Sequence, residues 1–166
     1  MNKILFDCEK MRYPNTGVYH YCKSLGNTLT KTIDPGKEEL SLYVPPGQIH
    51  QFGSYKNIVR YNPLQKHYHP GSSKYDVWHC TFQTSRYLPS SSKPRVVLTV
   101  HDLNYLYEFR NQPEVFNKFK KRIQQNIDRS ETIVAISNYV AGDIRANLTI
   151  KDQAIVTIYN GWNASD

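Results

Sequence analysis

The sequence predicts a single α/β domain in which a mostly parallel β-sheet lies between two layers of helices, a three-layer sandwich. Short apolar runs with strand character alternate along the 166 residues with segments whose apolar residues recur at helical spacing. This alternation implies parallel pairing, because consecutive parallel strands are joined by a helical crossover. The length suits one domain, so we expect residues 1–166 to form one unit.

The chain opens with a strand, a loop and a helix. The continuous apolar run in Lys3–Asp7 is typical of a strand covered on both faces, and the polar loop Arg12–Gly17 follows it. A helix is predicted to begin near Thr16 or Gly17, because apolar residues then recur every three or four positions. These residues are Val18, Cys22, Leu25 and Leu29.

Four strands are predicted in the middle of the chain. Leu40–Val44 and Ile58–Tyr61 are short apolar runs that alternate with turns rich in proline and glycine. Asp76–Cys80 is a third candidate, with Trp78 expected in the core. Val96–Val100 is the strongest strand signal in the sequence, because it is β-branched, apolar and unbroken.

The next predicted element is an amphipathic helix. We expect Asn111 to cap it, Pro113 to occupy its first turn and Glu114 to complete a capping box. Its apolar stripe consists of Phe116, Phe119, Ile123 and Ile127. Its basic side chains are expected near the exposed side, and these are Lys118, Lys120, Lys121 and Arg122.

A strand, a helix and a last strand complete the prediction. Thr132–Ile136 is predicted as a strand, and Ala154–Tyr159 as the last one, ending at Asn160-Gly161. Between them, Ser137 is predicted to cap a helix. The apolar residues of that helix are Val140, Ile144 and Leu148.

Composition and charge narrow the function classes. The net charge of +7 and the pI of about 9.3 indicate either an ordinary basic surface or an anionic partner, such as a nucleotide, a phosphorylated substrate, a lipid surface or nucleic acid. The three scattered cysteines, without a Cys-x-x-Cys pair, favour buried thiols in a cytoplasmic protein over a disulfide framework. No apolar stretch approaches the roughly 20 residues that a membrane-spanning helix needs.

Ligands of open α/β sheets bind beyond the carboxyl ends of the strands, so residues that follow strands are the candidates. Gly17 lies between Thr16 and Val18 at a predicted helix start, where backbone amides can approach a phosphate. A tight turn that needs glycine is the alternative. His101 follows Val96–Val100 and can bind a phosphate or a sugar hydroxyl, or act as acid or base. Simple hydrogen bonding of His101 to the backbone is an equal alternative.

Further polar residues follow the other strands. Asp102 is expected to cap the turn after its strand, and Ser137 to cap a helix, since no Gly-x-Ser-x-Gly motif surrounds it. His67 and His69 are two positions apart without a third ligand at suitable spacing, so no metal site is predicted. The candidate binding residues are therefore Thr16, Gly17, Val18, Asp102 and Ser137, with His101 as the catalytic candidate.

Four segments, taken together, resemble a known family. Thr16–Tyr21 is similar to its first-loop motif, and Val97–Leu103 to its strand ending in His-Asp. Ser130–Tyr139 is similar to its strand-to-helix segment, and Val156–Gly161 to its strand ending in Asn-Gly. In order and spacing these segments resemble the amino-terminal domain of family 4 retaining glycosyltransferases. Such enzymes have the GT-B fold of two facing Rossmann-like domains.

The resemblance implies an activity. A hexosyl group would move from a nucleotide-diphosphate sugar to a glycan or lipid-linked acceptor, as in polysaccharide biosynthesis, with retention and without a metal or other cofactor. The amino-terminal domain would shape the acceptor side of the cleft, and a carboxyl-terminal domain would hold most of the nucleotide. His101 corresponds to the family histidine that contacts the donor sugar near the reacting carbon, and Gly17 to a loop whose amides face the diphosphate.

The sequence also departs from the family pattern. Tyr19 stands where the family often has a second glycine, and its side chain is expected to crowd a phosphate; His20 stands where arginine is common. The carboxyl-terminal domain is absent from this chain, so we expect a fragment of a longer polypeptide that is inactive alone. We expect a cytoplasmic location, and the basic surface is compatible with a position at the inner face of a membrane.

Two other functions compete with the enzyme. The basic pI and thirteen tyrosines would suit a module that binds nucleic acid by stacking and phosphate contact. Against this, the basic residues are scattered and no RRM, KH or helix-turn-helix signature is present, so no nucleic-acid partner is expected. The third hypothesis is a sugar-binding α/β domain without catalysis.

Overall fold

A computed structural model describes residues 1–69 and 71–161. In these residues seven strands form one sheet in the order β3-β2-β1-β4-β5-β6-β7, and all neighbouring strands pair in parallel. The strands are β1 (Asn2–Asp7), β2 (Glu38–Val44), β3 (Ile58–Arg60), β4 (Val77–Cys80), β5 (Arg95–Val100), β6 (Thr132–Ala135) and β7 (Ala154–Thr157). The predicted strands are confirmed with shifts of one or two residues at their ends, and the mostly parallel sheet is parallel throughout the described strands.

Three predicted helices are confirmed and one helix was not predicted. The helices are α1 (Gly17–Thr32), α2 (Asn104–Glu108), α3 (Pro113–Arg129) and α4 (Asn138–Asn147). Four short 3-10 turns accompany them, at Glu9–Arg12, Pro46–Phe52, Pro63–Lys66 and Ser72–Lys74. The five-residue helix α2 and these turns are too short to show a periodic apolar pattern. Within the described part of the chain, none of the helices combines the length and apolarity required to cross a bilayer.

The two faces of the sheet carry different helices. In β1, Leu5 joins the core that includes residues of α3 and α4, whereas Phe6 joins the core formed with α1. Successive side chains of a strand point to opposite faces, so α1 covers one face and α3 and α4 the other. This confirms the three-layer sandwich. Trp78 lies fully buried in the first of these cores, as predicted.

The caps explain where the helices begin. Thr16 Oγ1 accepts the amide of Tyr19 at 3.2 Å, and Ser137 Oγ accepts the amide of Val140 at 3.2 Å, so both predicted helix starts are confirmed. The predicted cap at Asn111 is wrong, because α3 begins at Pro113 with Gln112 as its N-cap and without a side-chain cap. A residue before proline is disfavoured in helical conformation, which fixes this start.

The order in which successive strands join the sheet reverses at its centre, between β1 and β4. From β1 the chain continues to β2 and β3 on one side, and from β4 to β7 on the other. The carboxyl ends of β1 and β4 lie side by side, and the hydroxyl of Thr81 donates to the carbonyl of Asp7 at 2.7 Å. In α/β sheets the crevice at such a reversal is the usual ligand site.

Candidate active site

A cleft of about 560 Å³ lies between α1 and the outer strands β6 and β7. Its apolar floor and wall come from Leu25 and Leu29 of α1, Val134 of β6 and Ile158. Its other lining residues are Gly17, His20, Tyr21, Ser24, Thr28, His79, Tyr159, Asn160 and Gly161. The cleft thus runs along α1 and reaches Gly17 at the carboxyl edge of the sheet, where ligands of this architecture bind.

The first turn of α1 is open toward this cleft. Thr16 satisfies the amide of Tyr19, while the first amides of a helix have no partner within the helix. A Cβ placed on Gly17 would meet no atom within 4 Å, so the glycine leaves open space beside the helix start. Val18 packs its side chain against the α1 core and offers only its amide here. A helix start of this kind favours an anion.

Tyr19 does not occupy that space, and the expectation that it crowds a phosphate is wrong. Its ring lies in the α1 core with 9% of its surface exposed, and its hydroxyl donates to Gln48 Oε1 at 3.2 Å. The third residue of the helix points inward, so a bulky side chain is accommodated in the core. His20, which stands where the family often has arginine, is exposed and lines the cleft.

His101 lies just behind the cleft wall, with its ring edge-to-face against Tyr21 at 4.8 Å between centroids. Its Nε2 lies 3.0 Å from the carbonyl oxygen of Thr81, and a carbonyl only accepts, so Nε2 carries the proton and donates. Its backbone amide donates to Gln83 Oε1 at 3.2 Å. Burial lowers the pKa of His101 below its ordinary value, so the ring is neutral at pH 7 and Nδ1 is an acceptor.

A hydrogen-bonded chain joins the cleft wall to the sheet. Thr99 Oγ1 lies 3.2 Å from the hydroxyl of Tyr21 and 2.8 Å from Nε2 of His79. Burial, and secondarily the nearby His101, lowers the pKa of His79 to about 4. His79 is therefore neutral at pH 7. This hydrogen-bonded chain fixes the Tyr21 ring, against which His101 packs.

Asp102 and Ser137 do not converge on the cleft. Asp102 Oδ1 accepts the amide of Asn104 at 3.0 Å, and Ser137 Oγ accepts the first-turn amide of α4. Their predicted capping roles are confirmed. Any contact of these two residues with substrate stays a prediction, as do the ligand contacts of Thr16, Gly17, Val18 and His101.

Sequence reasoning missed several residues of the cleft region, chiefly Tyr21, Thr99 and His79 as a connected group. One signal was available: Tyr21 lies one helical turn after Gly17, so both face the same side of α1. The link from Tyr21 to Thr99 spans 78 positions and leaves no local pattern. Asn160 and Gly161 line the cleft as well.

A buried carboxyl group occupies the end of β1. Asp7 is 1% exposed; its Oδ1 accepts the amide of Glu9 at 2.8 Å and its Oδ2 accepts from Ser85 Oγ at 3.4 Å. Burial, with the neighbouring Glu9 carboxylate as a second cause, raises the pKa of Asp7 to about 8. Asp7 is therefore mostly protonated at neutral pH, at the reversal point of the sheet.

These features define a class of protein. A parallel sheet whose strand order reverses at its centre, with a glycine-bearing helix start at its carboxyl edge, has the features of a Rossmann-like α/β domain. Within residues 1–69 and 71–161, no three His, Cys, Asp or Glu side chains group in a way that could hold a metal ion.

Comparison with known families gives the particular assignment. The profile of Glycosyltransferase Family 4 matches residues 33–166, which is most of the chain, and the chain belongs to this family. No curated protein matches the sequence. The resemblance to the amino-terminal domain of family 4 glycosyltransferases and the Rossmann-like fold are thereby confirmed, and the fold is consistent with the amino-terminal half of a GT-B enzyme; the retaining mechanism stays a prediction. The matched range begins after α1, so the Gly17 loop lies outside it.

Proposed function

We propose that this domain forms the acceptor side of the active site of a retaining GT-B glycosyltransferase. The enzyme transfers a hexosyl group from a nucleotide-diphosphate sugar to a glycan or lipid-linked acceptor. The observation that supports this most directly is the family match, which includes β5 and the His101 that follows it. The open start of α1 and the His101–Tyr21 pair lie at the same edge of the sheet, an arrangement that would suit a diphosphate beside a sugar.

His101 would act on the sugar as a hydrogen-bond acceptor. Because Nε2–H is committed to the carbonyl of Thr81, the neutral ring offers only Nδ1, which can accept from a sugar hydroxyl. A neutral acceptor is suited to a reacting carbon that gains positive charge as the leaving group departs. The protonated form, which could donate to a phosphate, is disfavoured by burial.

The diphosphate would lie at the start of α1. The first amides of α1 and the positive end of its dipole would stabilise the charge that accumulates on the leaving nucleotide. Gly17 permits close approach, because no side chain stands between these amides and the cleft. His20, which also lines the cleft, is placed to contact the same group.

A second domain would complete the donor site. Val156 of β7 is 44% exposed, and Ile158 and Tyr159, which follow β7 and line the cleft, are 55% and 64% exposed. Together they offer an apolar surface suited to contact with another folded unit. We therefore propose that the activity needs a carboxyl-terminal domain of the same polypeptide and that residues 1–166 alone are inactive. A cytoplasmic location at a membrane surface fits the lipid-linked acceptor and the net charge of +7.

The test is transfer activity with and without the donor domain. The full-length polypeptide is incubated with a panel of nucleotide-diphosphate sugars and glycan or lipid-linked acceptors, and products are identified by mass spectrometry. We expect transfer from one class of donor, with the anomeric configuration retained, and none by residues 1–166. Turnover by residues 1–166 would refute the split donor site, and an inverted product would refute the retaining mechanism.

A Gly17→Ala variant tests the diphosphate site within the same assay. Alanine meets no atom within 4 Å at this position and is a better helix former than glycine, so we expect its free energy of unfolding to equal or slightly exceed that of the wild type. The added methyl group narrows the approach to the helix start, so the KM for the donor should rise. A donor KM unchanged by Gly17→Ala would place the diphosphate elsewhere.

A further inference from the structure

A second pocket, of about 200 Å³, lies at the same edge of the sheet. It is formed by the 3-10 turn Glu9–Arg12, by the segment after β3 and by the loop that follows β4. Four cationic side chains line it, against the single carboxylate of Glu9; the cations are Lys10, Arg12, Lys66 and Arg86. We call this the basic pocket.

Two of its cations are held in place by buried groups. Glu9 is 1% exposed, and its Oε1 lies 2.8 Å from Nη2 of Arg12, while its Oε2 lies 3.5 Å from Nζ of Lys10. Nη1 of Arg12 donates to the hydroxyl of Tyr61 at 2.8 Å, and this hydroxyl contacts that of Tyr87 at 2.8 Å. Arg12 is thereby oriented before any ligand binds, which lowers the entropic cost of binding.

The other two cations have no carboxylate of their own. Among the described residues, neither Lys66 nor Arg86 takes part in an ion pair, although both line the basic pocket. Four positive groups around one carboxylate repel one another in a concave site, where the field is stronger than on an open surface. A phosphate with two negative charges relieves this repulsion. The paired N–H groups of an arginine side chain can also donate two parallel hydrogen bonds to its oxygen atoms.

The basic pocket adjoins the His101 region. Nζ of Lys10 lies 4.6 Å from the ring centroid of Phe82, and this ring lies 6.1 Å from that of His101. One aromatic side chain therefore separates Lys10 from the histidine that we assign to the donor sugar. A group bound in the basic pocket would therefore lie close to the donor sugar that we assign to His101.

We propose that the basic pocket binds the phosphate group of a phosphorylated acceptor. Its identification as the acceptor rests on the proposed function, whereas phosphate binding follows from the pocket itself. The same chemistry is offered by a soluble sugar phosphate and by a phosphate monoester at a membrane surface. Lys66 and Arg86 would supply the positive charge that the phosphate neutralises. Arg12 would offer it guanidinium N–H donors that are already oriented.

The experiment is an NMR titration of the 166-residue chain with inorganic phosphate at a constant ionic strength of about 0.1 M, at which charges more than about 10 Å apart are largely screened. Arg86→Gln and Lys66→Gln each remove a cation that no buried group depends on, so both variants should fold. Arg12 and Lys10 are left unchanged, since their removal would strand the buried Glu9 carboxylate. The matched controls, Arg95→Gln and Lys56→Gln, remove exposed cations at the opposite edge of the sheet.

We expect wild-type chain to bind phosphate with shifts centred on residues 9–12 and 84–87, and each pocket variant to bind about five- to tenfold more weakly. The controls should change affinity by less than about twofold, because exposed charges at that distance are screened. Absence of saturable shifts, or equal weakening in all four variants, would overturn the proposal. Neither result depends on sugar transfer, so failure here is distinct from failure of the transferase assignment.

Two further ligands distinguish the source of the phosphate. Glucose 1-phosphate represents a soluble acceptor, and phosphatidylcholine vesicles containing phosphatidic acid represent a membrane acceptor. Binding of either probe with the same dependence on Arg86 and Lys66 supports the basic pocket and identifies the source. Vesicle binding that is insensitive to both substitutions, with no binding of free phosphate, would instead indicate general attraction to a charged surface and would refute the pocket.

Discussion

Thr99→Val is the substitution that most sharply tests the hydrogen-bonded chain beneath the cleft. Thr99 is fully buried, and its hydroxyl bridges His79 and Tyr21 at 2.8 Å and 3.2 Å. Valine has nearly the same shape but no hydroxyl, so packing is retained while both hydrogen bonds are lost. The effect is thus confined to polar groups rather than to a cavity.

The magnitude follows from what each partner loses. Nε2 of His79, which is half-buried at the inner end of the cleft, would lose its hydrogen-bond partner, and a buried polar group without a partner typically costs about 1–3 kcal/mol. The hydroxyl of Tyr21 lies at the cleft wall, where water can replace Thr99, so its loss adds little. We therefore expect the free energy of unfolding to fall by about 2 kcal/mol. In the transferase, the Tyr21 ring would no longer be fixed, and kcat should fall with little change in donor KM.

Urea unfolding followed by circular dichroism gives the free energy of unfolding, and Thr132→Val is the matched control. Thr132 lies in the neighbouring strand β6, and among the described residues its hydroxyl has no hydrogen-bond partner. The control should change the free energy of unfolding by less than about 0.5 kcal/mol. Equal stability of the two variants would refute the idea that Thr99 bridges His79 and Tyr21.

Other substitutions test other parts of the fold. Asp7→Asn should stabilise the chain by a few kcal/mol at pH 7, because the pKa of the Asp7 carboxyl is near 3.8 in the unfolded chain and about 8 in the native one. The stability of the wild type therefore falls as the pH rises between these two values. Unfolding measured at several pH values should show a flatter dependence on pH for the variant. Gly26→Ala should lower the free energy of unfolding by about 1–3 kcal/mol, because its Cβ would lie 2.8 Å from the buried Phe52 ring. Gly142→Ala in α4 meets nothing within 4 Å and should raise the free energy of unfolding by up to about 1 kcal/mol. A change of the same sign for both variants would contradict the packing described. Ser137→Ala should lower the melting temperature through a loss of about 1 kcal/mol of capping energy, and an unchanged melting temperature would show that the cap contributes nothing.

The order of the strands and helices was predictable because each has a local signal. The unbroken apolar run that becomes β5 and the alternation of strand and helix around Ser137 depend on residues close together in sequence. The predicted cap of α3 was wrong, although it too was based on residues close together in sequence. Asn111 is a good capping residue, but Pro113 imposes its own constraint on the preceding residue and moves the cap to Gln112.

The candidate site was only partly predictable. Gly17 and His101 follow strands, and the sheet rule alone places them at one edge. The direction in which Tyr19 points depends on the core beneath α1. The contact between His101 and Tyr21 depends on two segments that are far apart in the sequence. The basic pocket likewise gathers residues from three loops, and a scattered set of cations in the sequence gives no sign of such convergence.

The central claim is that His101 acts on the donor sugar in a family 4 glycosyltransferase. The most direct measurement is kcat/KM for sugar transfer by the full-length polypeptide with His101→Ala, compared with His67→Ala, which removes an exposed histidine outside the cleft. Circular dichroism confirms that both variants remain folded. We predict a loss of about a hundredfold or more for His101→Ala, mainly in kcat, and wild-type activity for His67→Ala. A folded His101→Ala enzyme with wild-type kcat/KM would contradict the account.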